Sequence, residues 1–327
     1  METLLLDPDD VTESTEMGEV IDAVESAFGA YARGDTQMPA KSYIDLPQYN
    51  GDFRSMPAYI DAEDWEAAGI KWVNSHADNP EKHDLPTVIG TMIYSDPETA
   101  FPLALLDGTG LTRLRTGAAA AVATRYLAAE DATSLGLVGA GIQAYTQLEA
   151  ISRVRDIQQV LVSDVRDEAI AAFEAEFGEE FDVREASIAE TASCDVVSTT
   201  TPVREPIVTE VGESTHINAM GADAPGKHEI ADEILTKATI VIDDYEQCTH
   251  SGEINVPWEA GVLDEEDIHG ELGDIVAGEV AGRTGDGVTV FDSTGLAIQD
   301  VAAAHVIYEH ASERGIGTEF ALVGTDT

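Results

Sequence analysis

Basic residues are what this sequence most lacks: 17 Lys and Arg stand against 63 Asp and Glu, a formal net charge of -46 at pH 7. So negative a surface repels phosphate backbones and anionic headgroups, which excludes nucleic acid and anionic membranes as partners. Cysteine is nearly absent. Cys194 and Cys248 form no Cys-x-x-Cys pair and have no histidine at ligand spacing, so neither a disulfide nor a metal site is expected. Long apolar runs are missing too, none approaching the roughly 18 residues that cross a bilayer. Met1 leads into Thr3-Leu4-Leu5-Leu6 rather than a basic leader, and together these absences predict a cytoplasmic location. Internal repeats and low-complexity segments are also absent.

What is present is a chain of 327 residues with 43% hydrophobic content, enough for two domains with substantial cores. The acidic residues are spread along the chain rather than blocked. Such spreading predicts adaptation to molar salt, where a Debye length of about 3 Å screens self-repulsion. Acidic pairs such as Asp9-Asp10 and Asp243-Asp244 read as solvated surface in that setting. Only Lys41, Lys71, Lys82, Lys227 and Lys237 remain as lysines, so Lys71, inside the apolar stretch Ala67 to Val73, stands out.

Residues 2–6 read as a strand, and Asp7-Pro8-Asp9-Asp10 supplies capping chemistry for a helix presenting Met17, Val20, Ile21, Val24 and Phe28 on one face. Between residues 38 and 106, short apolar runs separated by Pro, Gly, Asn and Asp are the punctuation of a sheet. From about residue 112 helix and strand alternate. An alanine-rich helix spans 116–129, with strands at 134–138, 159–163, 196–200, 216–220, 240–243 and 288–291. This order predicts an α/β fold: a Rossmann, doubly wound parallel sheet domain at 114–298. The last helix, 298–314, is long enough to return to the first domain. That return makes the expected first domain, 1–113 plus 299–327, a discontinuous α+β one, to which the resemblance described below assigns substrate binding and dimerisation.

The strand Leu135 to Val138 runs into Gly139-Ala140-Gly141-Ile142-Gln143-Ala144 and a helix, matching Gly-x-Gly-x-x-Ala in a dinucleotide-binding context. Gly139 permits the tight turn, Gly141 lets a pyrophosphate approach the backbone, and Ala144 allows close helix packing. The helix N-terminus attracts the phosphates. Asp164 ends the second strand where a carboxylate holds the adenosine ribose, which favours NAD over NADP. Arg166, two residues on, is placed to accept a 2′-phosphate instead.

Further candidates lie outside the fingerprint. Arg54, Lys71 and Arg115 have the chemistry to hold a carboxylate, and a partly buried ammonium can be tuned toward neutral pH for proton transfer. Asp223 lies in a loop beyond a strand's carboxyl end, where doubly wound sheets bind ligands. Blander roles are open for each: Arg54 as a solvated strand residue, Arg115 as a phosphate ligand, Asp223 as the cap of the turn before Pro225. His76 and His216 are nearest these segments but lack metal spacing and read as core or surface histidines.

Eight segments carry a resemblance: 37–41, 54–58, 69–76, 114–118, the glycine turn, 218–227, 252–255 and 291–300. Through them the chain resembles the ornithine cyclodeaminase and mu-crystallin family over nearly its whole length, and within it the archaeal-type alanine dehydrogenases. The resemblance implies a catalytic lysine at Lys71 and a catalytic aspartate at Asp223. It implies substrate-carboxylate contacts at Arg54 and Arg115, the latter also near the cofactor phosphate. It places dinucleotide contacts at Ile142, Gln143, Asp164, Val165, Arg166, Met220, Gly221 and Ser293, with Lys227 nearby. A homodimer joined through the non-Rossmann domain is implied as well. Cyclodeaminases resembling this chain carry glutamate where Arg54 stands, and an arginine there repels a second substrate ammonium. The expected reaction is NAD-dependent oxidative deamination of L-alanine to pyruvate and ammonia. Ornithine cyclodeamination, ketimine reduction and turnover-free dinucleotide binding are the rivals.

Overall fold

The computed structural model describes residues 2–324. The chain forms two compact units, one of Met1–Arg115 with Leu296–Thr327, the other of Thr116–Gly295.

In the first unit, strands β1 (Thr3–Leu6), β2 (Thr36–Gln37), β3 (Ser42–Leu46), β4 (Gly51–Asp61), β5 (Glu66–His76), β6 (Val88–Ser95) and β7 (Pro102–Asp107) form one mixed sheet. Its centre is an antiparallel run from β3 through β4, β5 and β6 to β7. Strand side chains alternate between faces, so register decides which residues meet. Lys71 lies opposite Met56 and Met92, and Val73 lies opposite Arg54, which puts Lys71 and Arg54 on one face. The helices Met17–Arg33 and Ala297–Arg314 pack against this sheet and against each other. A Cβ on Gly69 would meet Met92 Cε at 2.5 Å and Ile93 O at 2.8 Å, with Val301 Cγ2 of the terminal helix at 3.4 Å. Glycine is thus required by the neighbouring strand β6, with the terminal helix in ordinary contact over it.

In the second unit, β8 (Ser134–Val138), β9 (Gln159–Ser163), β10 (Asp182–Glu185), β11 (Val196–Thr199), β12 (His216–Ala219), β13 (Thr239–Ile242), β14 (Ile268–Glu271) and β15 (Thr289–Asp292) build a sheet of order β10-β9-β8-β11-β12-β15-β13-β14. Every pairing in it is parallel. The inner strands β8, β11, β12, β13 and β15 are buried almost throughout, as a parallel sheet covered by helices requires, whereas the outer β10 and β14 are largely exposed or half-buried. This is the doubly wound α/β architecture that alternation of elements implies. The last described strand, Thr318–Phe320, pairs antiparallel with β1 in the first sheet.

Three local expectations need correction. The single helix expected after Asp7 is two. Asp7 caps Pro8–Glu13 in a capping box with Asp10, and a new helix begins at Met17 after Glu16 turns to extended backbone. The Ser14 amide closes the last helical bond to Asp10 O, and the Thr15 hydroxyl then takes the Val11 carbonyl while its amide turns to Thr12 O, the local competition expected of a hydroxyl side chain. The alanine-rich helix begins at Gly108, because Asp107 accepts hydrogen bonds from the Thr109 and Gly110 amides. Arg115 therefore lies about two turns inside the helix rather than opening it. Finally, Asp243 is fully buried, not solvated surface. It accepts from the Ser293 hydroxyl, the Gly295 amide and the Cys248 thiol, a satisfied buried carboxylate.

Candidate active site

Lys71 is 1% exposed. Its Nζ donates to Asp300 Oδ1 at 2.6 Å and to the Thr112 hydroxyl at 3.2 Å. Asp300, itself fully buried, also takes an ion pair from Arg115 Nε at 3.3 Å, while Arg115 Nη1 donates to Gln299 Oε1 at 3.0 Å. The partner that a buried lysine requires thus comes from the first turn of the terminal helix, 229 residues away. Burial pushes the Lys71 ammonium down to about 8, the nearby Arg115 and Lys41 adding to that and Asp300 opposing it. The ammonium is therefore charged at neutral pH yet close enough to it for proton transfer. Asp300 Oδ2 and Gln299 Nε2 are buried and make no hydrogen bond among the described residues, polar capacity left for a small polar ligand.

Arg54 is brought to the same sheet face but not into that carboxylate. Its Nε and Nη2 bond to Asp52, at 2.9 Å for the closest pair, and its guanidinium lies 5.6 Å from the Tyr43 ring centroid. Asp52 and Tyr43 fix the direction of a fork built for planar carboxylates.

In the second unit the glycine turn has the geometry a dinucleotide needs. Gly139 takes φ +102°, open to glycine at little cost. A Cβ at Gly141 would meet nothing within 4 Å, so space lies over this backbone. The helix Ile142–Val154 has no side-chain cap at Gly141, leaving its first amides available for phosphate. Ile142 is 57% and Val165 98% exposed, and Gln143 Oε1 is buried and makes no hydrogen bond among the described residues. Asp164 accepts from the Ala140 amide and from the Arg166 backbone and side chain. Burial pulls its carboxyl upward, but the bonds from Arg166 and Ala140 outweigh that and hold it below the usual range. Arg166 is thus held by the carboxylate that excludes a 2′-phosphate, rather than extended to receive one. These residues fit a nicotinamide dinucleotide with an unphosphorylated ribose.

Asp223 pairs with Lys227 in the loop after β12, and Lys227 Nζ also reaches Gly221 O at 3.3 Å. Asn255 pins the loop at the Gly226 amide and Lys227 carbonyl. A Cβ on Gly221 would lie 2.2 Å from Glu229 Oε2, so glycine is obligatory between Met220 and Asp223. Glu229 is buried beneath, accepting from Thr199 and from Thr201. Ser293 N–H bonds Ala219 O at the end of the neighbouring strand. His216 is buried between Thr289 and Asn218 and is pushed by burial down to about 3, a core histidine. His76 bonds Asn74 and packs edge-on against Phe53. Both cysteines are free and buried, and among the described residues no group of His, Cys, Asp and Glu could hold a metal ion.

Sequence reasoning missed Asp300, Gln299 and Glu229. The available signal for Asp300 was an acidic residue inside the apolar run Leu296 to Ala304, the same anomaly that singled out Lys71.

A parallel doubly wound sheet with an uncapped glycine turn in one unit, and a sheet that buries a paired lysine in the other, define a dinucleotide-binding α/β enzyme fold. The chain belongs to the ornithine cyclodeaminase/mu-crystallin family, whose sequence profile matches residues 1–315. It is 49% identical to an alanine dehydrogenase of Archaeoglobus fulgidus over 323 residues, covering 98% of each chain. Among solved structures, an archaeal alanine dehydrogenase dimer with bound NAD matches with a TM-score of 0.93 at 48% identity, covering 99% of this chain and 100% of that one. A Thermococcus litoralis Delta(1)-pyrroline-2-carboxylate reductase, in complex with NADH and L-proline, matches with a TM-score of 0.92 at 38% identity, covering 97% and 99%.

Proposed function

We propose that the protein is an NAD-dependent amino-acid dehydrogenase that converts L-alanine reversibly to pyruvate and ammonia. The observation that carries this reading is the cationic face of the first unit. Lys71 and Arg115 share one buried carboxylate, and Arg54 stands on the same sheet face as Lys71. Such a face suits one substrate carboxylate and disfavours a side-chain ammonium. The 49% identity to an alanine dehydrogenase supports the same substrate.

Arg54, Lys71 and Arg115 bind and orient the amino-acid carboxylate, which fixes the Cα–H bond in one direction. Gly139, Gly141, Ile142, Gln143, Asp164, Val165, Arg166, Met220, Gly221, Lys227 and Ser293 hold NAD. When bound, NAD supplies the acceptor for the Cα hydrogen with its electron pair, so that the substrate becomes an imine. Asp223 takes a proton from the water that adds to the imine carbon. Lys71 then moves a proton to the amino nitrogen, and the carbinolamine expels ammonia to leave the keto acid. Separate Lys71→Ala and Asp223→Asn variants are expected to lose about a hundredfold or more in kcat while binding NAD with unchanged affinity. Normal turnover in both contradicts these roles.

Reduction of a cyclic imine is the second reading, favoured by the likeness to the pyrroline-2-carboxylate reductase. Consumption of NADH by Delta(1)-pyrroline-2-carboxylate, without ammonia, would identify it.

The working form we propose is a cytoplasmic homodimer of a halophile, joined through the first sheet. The face opposite Lys71 carries Ile44, Trp72 and Ile89, at 53%, 42% and 36% exposure, with Phe53 stacked on Trp72. An apolar sheet face of this kind marks an interaction surface.

A further inference from the structure

We propose that Asp300 is the positioning residue of this site, holding the Lys71 ammonium and the Arg115 guanidinium on one carboxylate oxygen. The proposal rests on the role given to Lys71 above. Its ground is geometric. The three side chains are 0%, 1% and 10% exposed for Asp300, Lys71 and Arg115, and Oδ1 lies 2.6 Å from Nζ and 3.3 Å from Nε. Nothing local brings Asp300 there. The terminal helix does, docked so closely on β5 that Gly69, on the face of Lys71, lies against Val301. The first turn of that helix is where a carboxylate is favoured by the helix dipole.

The groups facing Lys71 come from three directions. The terminal helix contributes Asp300, the helix Gly108–Leu127 contributes Arg115 and the Thr112 hydroxyl, and the segment before β3 contributes Lys41. Burial and the two cations favour the neutral amine, and the Asp300 anion opposes them. Neutralising Asp300 therefore strips Lys71 of its counter-ion while leaving Arg115 tethered through Gln299. The sign follows: with the anion gone, the proton leaves Lys71 at lower pH. A positioning carboxylate thus carries two consequences, one for ionisation and one for placement, and each can be read separately.

The full chain, labelled with 13C at lysine, has only five lysines, and the loss of one signal in a Lys71→Met variant assigns the residue. The Lys71 signal is expected to titrate at about 8 in the native protein and at least about one unit lower in Asp300→Asn. An unshifted midpoint in a folded Asp300→Asn variant overturns the proposal. Asp300→Glu keeps the anion but displaces it by a methylene, so the midpoint stays while kcat falls at unchanged NAD affinity. Native kcat in Asp300→Glu overturns the positioning role, and this variant decides if Asp300→Asn fails to fold. The titration needs no substrate, so it stands or falls separately from the assignment of alanine.

Discussion

At the scale of single residues, the site is a set of cations that would repel one another without Asp300 and Asp52. Those carboxylates hold Lys71, Arg115 and Arg54 in fixed directions, so little side-chain freedom remains to be lost when a substrate binds. Lys71 was legible in the sequence because lysine is scarce and its neighbours are apolar. Its partner was not, because residues 229 apart are joined only by helix docking, which leaves no mark in spacing. Arg54 was legible as a candidate from its chemistry and from the resemblance, but its tether to Asp52, two residues back on the same strand, was not foreseen. Losing a charge-assisted bond to the substrate carboxylate costs about 1.5–3 kcal/mol. Arg54→Ala should therefore raise the KM for alanine roughly tenfold to a hundredfold with a smaller change in kcat. An unchanged KM would show that Arg54 serves the strand and not the substrate.

At the scale of elements, the parallel sheet was the most readable part of the chain. Each of β8 to β15 that the sequence predicted begins and ends within about one residue of its expected limits. Most of those strands are short apolar runs bounded by turns, although β12 and β15 also bury His216, Asn218 and Asp292. Helix starts were less readable, since Asp107 caps a glycine-rich first turn that resembles a loop, and Ser14 ends a helix whose apolar pattern resumes at Met17. The glycine turn yields a sharp contrast between neighbours. A methyl on Gly141 meets no protein atom and its φ of -73° suits alanine, so Gly141→Ala should melt like the native protein yet bind NAD about tenfold or more weakly. Gly139→Ala forces φ +102° on a residue with a Cβ placed 3.0 Å from Thr200 Oγ1, and should cost about 1–3 kcal/mol of stability. Equal loss of stability in both would mean that the space over Gly141 is not kept for a ligand.

At the scale of the whole molecule, charge dominates. A net charge of -46 on 327 residues opposes compaction unless salt screens it, and screening lengths fall from about 10 Å at 0.1 M to about 3 Å at 1 M. Melting temperature and sedimentation mass measured together across that range should rise in step, with the dimer, at twice the 34.8 kDa chain mass, dominant in high salt. A melting temperature insensitive to salt would contradict the halophilic reading, and a single-chain mass at every concentration would contradict the dimer. The spread of acidic residues was plain in the sequence, whereas the burial of Asp243, Asp292, Glu229 and Glu253 was not, because composition cannot separate a surface carboxylate from one satisfied inside the fold.

The central claim is a reaction, and one measurement bears on it most directly: formation of reduced nicotinamide from NAD in about molar KCl, with L-alanine, L-ornithine or no amino acid added. The account predicts a signal with alanine alone, matched mole for mole by pyruvate. Silence with alanine, with proline appearing from ornithine, would contradict it and would make the arginine at position 54 a poor guide to the substrate.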